Sequence, residues 1–431
     1  GFPGKKWSIC VRKGLSEKMP TGKGRFADID SGTGNIRKEI KMAKWESTGV
    51  FQGMKVLDFT IALAGVYTAW QFADLGAEVW KVERYNAGDQ SRTWDPFVNG
   101  MSTLYCAYNK NKQSIELDLS SQEGKDVIYR MVKEADVVLE NFKSGSIDRL
   151  GLGYEKLKEI NPKIVFMSLS GFGASGPLMK YPCYDAIAAA RGGFAASNGE
   201  PDGAPMKAGN ANCDTLTGIY GFNAVLMALI EARRTGKGCR IDVGMSDVVM
   251  VSCAETLMDY GKYGDAAQSR FGNHDRFVAP YGIFEARDGW VSIIADTEER
   301  WQKMQEVLSL PADPRFRDNA GRIANRDALV GQIEAVTRTM FRKEVEEKLL
   351  AVGVPASEVL PFIEAYTSDH ANQTRLLLLH GRTRLGISVF TITRYGLMMR
   401  FAQSIGGRRC WGRIRGIFWR LLGMRRMRSR S

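Results

Sequence analysis

Strand and helix patterns alternate along the chain from Met54, and this alternation limits the possible folds more than any other feature. The first strand, helix and strand patterns lie at 54–59, 64–76 and 77–83. Because two strands joined through a helix of this length pair in parallel with a right-handed crossover, the pattern predicts a parallel sheet. Helix and strand patterns continue to alternate at 120–135, 136–142, 154–161 and 163–170. We therefore predict an α/β fold, with a Rossmann-like large domain built on a doubly wound parallel sheet.

The pattern changes in the second half of the chain. After a long helix pattern at 215–234 and a strand and helix start within 236–250, residues 281–295 predict two antiparallel strands around a turn. Further helix patterns follow at 298–308, 326–338 and 342–352. We predict a disordered or leader segment at 1–50 and a large Rossmann-like domain at 51–262. A small α+β domain follows at 265–350, a return to the large domain at 355–369 and an anomalous Arg-rich tail at 370–431.

The net charge of +12 comes from the two ends of the chain. Residues 370–431 contain fourteen Arg but no Lys, Asp or Glu, the first fifty residues carry +6, and residues 51–369 carry −8. An acidic body predicts no nucleic-acid partner. The tail is either a basic amphipathic segment for a membrane surface or nucleic acid, or an out-of-frame translation, and the lack of helical or strand periodicity favours the second. We expect no membrane partner unless the tail is genuine.

Cysteine usage indicates the compartment. The seven cysteines are scattered, and none forms a Cys-x-x-Cys pair. This usage predicts a reducing environment, hence a cytoplasmic location, and no metal site. No apolar run reaches the ~20 residues that a membrane-spanning helix needs. The first residues also lack the apolar region of a secretory signal.

A glycine motif, Gly-x-Gly-x-x-Gly, follows the strand pattern at 163–170 and comprises Gly171, Gly173 and Gly176. A dinucleotide-binding turn needs a helix to begin at its last glycine, so that the helix N-terminus faces the pyrophosphate. Pro177 follows directly and opposes a helix at this point. We therefore predict a sharp turn that lets the backbone approach another group, and no NAD.

Two kinds of side chain are candidates for chemistry. Asp214 stands just before the long helix pattern, where the residues alone favour a helix N-cap over a functional carboxylate. Its neighbour Cys213 has no His nearby to activate it. Arg84 and Arg149 stand near the C-terminal ends of predicted strands, where open α/β sheets bind ligands, and a guanidinium suits a phosphate. A solvated surface arginine remains the alternative at each position.

Several segments in order carry a resemblance to one family. They include "GMKVLDFTIALAGVYTAWQFADLGAEVWKVER", "ADVVLENFKSGSIDRLGL", "NPKIVFMSLSGFGASGP" and "AGNANCDTLTGIYG". From about Gly53 to Asp369 the chain resembles the family III CoA-transferases, which move coenzyme A (CoA) between carboxylic acids. The resemblance implies that the large domain binds CoA and that the chain forms an interlocked, ring-like homodimer.

The resemblance also implies roles for individual residues. The family's catalytic carboxylate falls on Asp214, which reverses the preference for an N-cap. The implied CoA contacts are Ile61, Ala62, Leu63, Ala64, Arg84, Leu117, Asn141, Phe142 and Arg149. The implied substrate pocket contains Tyr105, Tyr184, Asp185, Gly171, Gly173 and His274.

The implied reaction takes an acyl-CoA and a carboxylate acceptor through an aspartyl anhydride and an aspartyl-CoA thioester, without a metal. The helix N-terminus would keep Asp214 ionised, and amides at 171–176 or near Gly272 would stabilise the oxyanion. Racemase relatives on the same fold place a His where this chain has Tyr184, so an α-methylacyl-CoA racemase is the alternative. A non-catalytic CoA- or membrane-binding protein using the basic tail is an alternative of a different class.

Overall fold

The computed structural model describes residues 49–98, 100–265, 270–373, 378–383 and 386–391. The predicted leader segment up to residue 48 and most of the predicted Arg-rich tail therefore lie outside the described residues. The strands are β1 Lys55–Asp58, β2 Glu78–Arg84, β3 Phe97–Val98, β4 Met101–Ser102, β5 Gln113–Leu117, β6 Val137–Glu140, β7 Val165–Ser170, β8 Arg240–Gly244, β9 Tyr281–Ala286, β10 Gly289–Ile294, β11 Ala356–Glu358, β12 Leu378–Thr383 and β13 Gly386–Thr391.

The helices match the predicted periodic segments and add several short turns. They are α1 Ala64–Asp74, α2 Thr103–Tyr108, α3 Gln122–Val132, α4 Ser146–Arg149, α5 Tyr154–Ile160, α6 Asp185–Arg191, α7 Phe194–Ser197, α8 Asn212–Thr235, α9 Met245–Ser252, α10 Ala254–Tyr263, α11 Glu298–Val307, α12 Asn319–Ala324, α13 Arg326–Thr337, α14 Arg342–Ala351, α15 Phe362–Thr367 and α16 Asp369–Gln373.

Six strands form one parallel sheet in the order β5-β2-β1-β6-β7-β8. The chain first builds outward from β1 through β2 to β5, then crosses back to β6 and builds outward on the other side. The order therefore reverses between β1 and β6, and ligands of open α/β sheets bind at such a switch point. This sheet confirms the predicted Rossmann-like α/β architecture.

Successive residues of the sheet point to opposite faces, and both faces are buried. Val56 belongs to an apolar cluster with α1, α8 and α9, whereas its neighbour Leu57 belongs to a cluster with α3 and α5. Strands buried on both faces read as continuous apolar runs, so the sequence patterns were strong here. The sheet thus supplies a rigid base for the loops at its C-terminal edge.

A second, antiparallel sheet has the order β11-β10-β9. Its β9–β10 hairpin confirms the two antiparallel strands predicted at 281–295. Helices α11, α13 and α14 pack on it around their own apolar cluster, which includes Phe284, Trp301 and Leu349. The division of the chain into a large and a small domain at the predicted boundaries stays a prediction.

Helix α8 is long and apolar enough to cross a membrane by length and composition alone. Its residues Phe222, Val225 and Leu229 are buried in the cluster that covers the parallel sheet. A core helix passes the same test of length and composition, and α8 packs as one. The helix therefore gives little support to a membrane location.

Candidate active site

The loop between β1 and α1 lies at the switch point of the sheet and is held there by Asn141. The Asn141 side chain, which follows β6, accepts a hydrogen bond from the Ile61 amide at 2.7 Å and donates one to the Ile61 carbonyl at 2.8 Å. Ala62, the next residue, adopts a left-handed backbone with φ 65°. These bonds place the implied CoA contacts of the β1 loop, residues 61–64, beside those that follow β6.

Other implied CoA contacts lie along the same edge of the sheet. Arg84 and Leu117 are paired at the last positions of β2 and β5. Arg84 is exposed, as is Arg149 at the end of α4, where its guanidinium donates to the Ser146 hydroxyl at 2.8 Å. The backbone amide of Phe142 donates to Glu140 at 2.8 Å. The residues predicted to contact CoA therefore sit at the C-terminal edge of the parallel sheet.

Asp214 lies inside the first turn of α8, because the helix begins at Asn212. The interpretation of Asp214 as an N-cap is therefore wrong. The capping role belongs to Asp185, the first residue of α6, whose Oδ1 accepts the amide hydrogens of Cys213 at 2.7 Å and Asp214 at 3.2 Å. A carboxylate 29 residues earlier in the chain thus fixes the turn that carries Asp214.

The electrostatics at Asp214 differ from the expectation that the helix N-terminus keeps it ionised. Burial, and then the nearby carboxylate of Asp185, raise the pKa of Asp214 to about 7. Burial also raises the pKa of the neighbouring Cys183 thiol to about 11 and that of Cys213 to about 12. Near neutral pH these cysteines are therefore thiols, and the ionisable group suited to nucleophilic attack is the carboxylate.

The glycine motif packs directly against this group. A methyl group added to Gly171 would lie 2.0 Å from Cβ of Cys183, so only glycine fits there. Gly173 adopts a left-handed backbone with φ 75°. Among the described residues, the first helix after the turn is α6, so no helix begins at Gly176. The turn thus lacks the helix of a dinucleotide-binding motif. Its glycines instead permit close contact with the segment that leads to Asp185.

Helix packing brings Asp214 toward the β1 loop. A methyl group added to Gly218 would lie 2.8 Å from the Ala64 carbonyl oxygen. The Gly218 carbonyl accepts a hydrogen bond from the Thr68 hydroxyl at 2.9 Å. Asp214 lies one helical turn before Gly218 on the same face, about 6 Å along the helix. The implied catalytic carboxylate therefore lies about one helical turn from the point where α8 packs against Ala64, the last residue of the implied CoA loop.

Two of the implied pocket residues have their observed contacts elsewhere. Tyr105 donates to Glu83 at 2.8 Å and accepts from Arg92 at 2.6 Å. His274 is half-buried, forms a β-bridge with Gly282 and packs on Phe284, and burial lowers its pKa. The contacts in the structure do not join either residue to the Asp214–Asp185 pair.

Tyr184 sits next to the pair but faces outward. It occupies the N-cap position of α6, immediately before Asp185, and 62% of it is exposed. Its position is therefore open to a ligand or to another chain.

Sequence reasoning missed a group of buried charges beneath the β1 loop. They are Asp58, Lys81, Glu83, Asp89 and Lys112. A charged residue inside an apolar strand pattern, as in "MKVLDF" and "AEVWKVE", was the signal that could have found three of them. Their partners could not be read from the sequence, because they lie on different elements.

Comparisons with known proteins identify the family of this chain. Residues 51–402 match the sequence profile of CoA-transferase family III. The match extends past Asp369, where the resemblance that was read from the sequence ends. The chain is 35% identical over 337 residues to the acetyl-CoA:oxalate CoA-transferase of Acetobacter aceti, covering 77% of this chain and 86% of that protein. It is 34% identical over 312 residues to the succinyl-CoA:glutarate CoA-transferase of Homo sapiens, covering 70% of each.

A solved structure is similar as well. The crystal structure of a CAIB/BAIF family protein from Brucella suis matches with a TM-score of 0.72 and 34% identity, covering 80% of this chain and 92% of that one. The profile, the identities and the shared fold agree on the same class of enzyme. The chain belongs to CoA-transferase family III and is a transferase.

Proposed function

We propose that this transferase moves CoA from an acyl-CoA donor to a carboxylic acid acceptor, with Asp214 as the covalent relay. The observation that supports the proposal is the position of Asp214. It stands one helical turn before Gly218, and Gly218 packs against Ala64, the first residue of the helix that follows the β1 loop. A carboxylate of raised pKa is more nucleophilic than an ordinary one, and it stands beside the loop implied to bind CoA.

The reaction balances without ATP. The Asp214 carboxylate attacks the thioester carbonyl, the C–S bond breaks, and CoA leaves as a thiolate from a mixed acyl-aspartyl anhydride. The thiolate then attacks the aspartyl carbonyl, and the donor acid leaves as a carboxylate. The acceptor carboxylate then attacks the aspartyl-CoA thioester and releases CoA thiolate from a second mixed anhydride. The thiolate attacks the acyl carbonyl of the acceptor, which gives the new acyl-CoA and frees the Asp214 carboxylate. Each intermediate is as activated as the thioester from which it forms.

The oxyanion formed in each step needs donors. The amide of Gly272 already donates to the Gly199 carbonyl at 3.2 Å, and the amide of Ala174 donates to Asp242 at 2.7 Å. These bonds favour the start of the glycine turn, around Gly171 to Gly173, as the source of the donor. In this proposal the turn shapes the acyl pocket as well.

We propose a small dicarboxylic acid as the acceptor. The names of the relatives in Acetobacter aceti and Homo sapiens include oxalate and glutarate, which are both dicarboxylates. Incubation of the protein with succinyl-CoA or acetyl-CoA and a panel of dicarboxylates, followed by mass spectrometry of the CoA products, tests both the activity and the acceptor class.

The same assay separates the alternative functions. A racemase would exchange the α-hydrogen of a 2-methylacyl-CoA for deuterium without transferring CoA, and Tyr184 stands where the racemase relatives carry a His. A non-catalytic binding protein would bind CoA and return every thioester unchanged. Formation of a new acyl-CoA that depends on the acceptor supports the proposed function, and its absence across the panel would overturn it.

We further propose a homodimer of the interlocked, ring-like kind. Helices α8 to α10 expose large apolar side chains whose burial against a second copy would be favourable. They are Tyr220, Met227, Ile230, Met250, Val251, Leu257, Met258, Tyr260 and Tyr263. Light scattering after size exclusion checks the mass. The proposed cytoplasmic location rests on the scattered cysteines alone.

A further inference from the structure

Between Thr60 and the Ala62 amide, the backbone of the β1 loop is held by side chains rather than by other backbone groups. Asp58 Oδ1 accepts from the Thr60 amide at 2.9 Å, and the Thr60 carbonyl accepts from Lys81 Nζ at 2.7 Å. Asn141 binds both polar groups of Ile61, and Asp89 Oδ1 lies 3.4 Å from the Ala62 amide. From Thr60 to the Ala62 amide, each backbone donor and acceptor therefore meets a side chain. Asp58 is local, whereas Lys81, Asn141 and Asp89 come from other parts of the chain.

Two of these side chains form a fully buried ion pair. Lys81 Nζ lies 2.8 Å from Asp89 Oδ2, and neither side chain has exposed surface. Lys81 belongs to β2, whereas Asp89 precedes the short 3₁₀ turn Gln90–Thr93, where its Oδ1 also accepts from the Ser91 amide at 2.8 Å. The pair thus ties the loop to the segment that follows β2.

A pair of this kind is weak as a source of stability. Removing two charges from water costs several kcal/mol for each ion, and apolar replacements of similar volume are often neutral or stabilising. The pair does, however, fix geometry, because the Lys81 ammonium can reach the Thr60 carbonyl only with the loop in its present place. The left-handed backbone of Ala62, which a β-carbon disfavours, is held in the same way.

We propose that Lys81 and Asp89 are positioning residues that hold the loop at 60–62 in the conformation that binds CoA. The proposal rests on the proposed function, since it assigns these residues to the CoA side of that site. Neither residue contacts the ligand in this proposal. Loss of the pair frees the loop, so CoA binding weakens in every state of the reaction to a similar extent.

The test removes both charges together, in the double variant Lys81→Met with Asp89→Asn, so that no lone charge stays buried. The matched control is Arg322→Met with Glu298→Gln, because Arg322 is also buried, pairs with Glu298 at 2.7 Å and donates to the Ala279 carbonyl at 2.6 Å. The control pair joins α11 to α12, and Arg322 also lies over the Trp301 ring, so these contacts do not include the β1 loop. Calorimetry with free CoA and steady-state kinetics are run on the wild type and on both variants.

We expect the test variant to bind free CoA about tenfold or more weakly and to raise KM for acyl-CoA equally, with kcat within about threefold of the wild type. The control variant should keep the affinity and KM of the wild type. Unchanged affinity in the test variant, or an equal loss in both variants, would overturn the proposal. A wild type that fails to bind CoA at all would instead overturn the proposed function.

A second variant covers the case in which the double variant does not fold. Asp89→Glu alone keeps the carboxylate that attracts Lys81, so no lone charge stays buried, but its extra methylene shifts the oxygens away from the amides of Ser91 and Ala62. We expect a smaller rise in KM, about threefold to tenfold, with kcat preserved. If neither variant gives a cooperative thermal transition, the pair is a requirement of folding and the positioning role is wrong.

Discussion

The β1 loop and the first turn of α8 are both held by side chains from distant parts of the chain, but their charges differ. Beneath the loop, each buried charge has an opposite partner, as in the Lys81–Asp89 and Lys112–Asp58 pairs. At α8, the Asp185 carboxylate holds the turn, and burial, with Asp185 as the smaller cause, raises the pKa of Asp214. Balanced charges fix a shape, whereas burial and a like charge give the carboxylate at α8 a raised pKa. In the proposed function, the first arrangement would hold the CoA-binding loop and the second would prepare the nucleophile.

The buried charges beneath the loop continue along β2 to Glu83, which also has an oppositely charged partner, Arg92. Burial acts to raise the pKa of Glu83, but hydrogen bonds from Arg92 and Ser114 outweigh it and lower the pKa to about 2. Glu83 therefore stays ionised across the working range of pH. Tyr105, which binds Glu83, contributes to this network rather than to the Asp214 group.

The largest expected effect is the loss of the nucleophile. Asp214→Asn keeps the size of the side chain but removes its capacity to form an anhydride, so kcat for CoA transfer should fall by about 10³-fold or more. The affinity for free CoA should stay within about threefold, because the loop is untouched. Kinetics and calorimetry on the same preparation measure the two effects. A variant that retained transfer would remove Asp214 from the mechanism.

The next prediction separates the two roles of Asp185. Asp185→Ala removes both the cap and the charge, and kcat/KM should fall by about 10- to 100-fold as the turn loosens. Asp185→Asn keeps an oxygen for the amides of Cys213 and Asp214, so the loss should be smaller. Equal losses in the two variants would show that the charge, and not the cap, carries the role.

The pH dependence sharpens the same comparison. Transfer needs the Asp214 carboxylate, so kcat/KM should fall about tenfold per pH unit below its pKa of about 7. Asp185→Asn removes the like charge but not the burial, so the acid limb should move part of the way toward lower pH. A pH–rate profile of both proteins checks the shift. A limb that stays in place would leave burial as the whole cause.

A smaller effect is expected on stability. Folding raises the pKa of Asp214 from 3.8 to about 7, so the ionised side chain destabilises the folded state. This destabilisation is complete above pH 7 and disappears below the unfolded pKa near 4. Asp214→Asn should therefore raise the free energy of unfolding by about 1–2 kcal/mol at pH 8, after allowance for the partial exposure of the group. Near pH 4 the two proteins should unfold alike. Denaturant titrations at the two pH values compare them.

The smallest effect should come from the edge of the CoA surface. Arg149 is exposed and donates to Ser146 within its own turn, so Arg149→Ala should raise KM for acyl-CoA by about threefold to tenfold and leave kcat unchanged. Arg234→Ala, at an exposed arginine paired with Glu231 on α8, is the matched control. An equal response of the two variants would argue against a CoA contact at Arg149.

The sequence predicted the sheet well and the site in part. Strands such as Val165–Ser170 are buried on both faces, so their apolar runs were readable without knowledge of their neighbours. The capping of α8 by Asp185 was not readable, because nothing local in "YPCYD" points to a helix that begins at Asn212. The same holds for Lys81 and Asp89, whose pairing depends on the path of the chain after β2.

The central claim is the covalent role of Asp214, and trapping its intermediate tests that role most directly. The protein is incubated with acyl-CoA, quenched with hydroxylamine, digested and analysed by peptide mass spectrometry. We expect a hydroxamate on the side chain of Asp214, found only with acyl-CoA and absent from Asp214→Asn. An active enzyme that gives no adduct at Asp214, or an adduct on another residue, would contradict it.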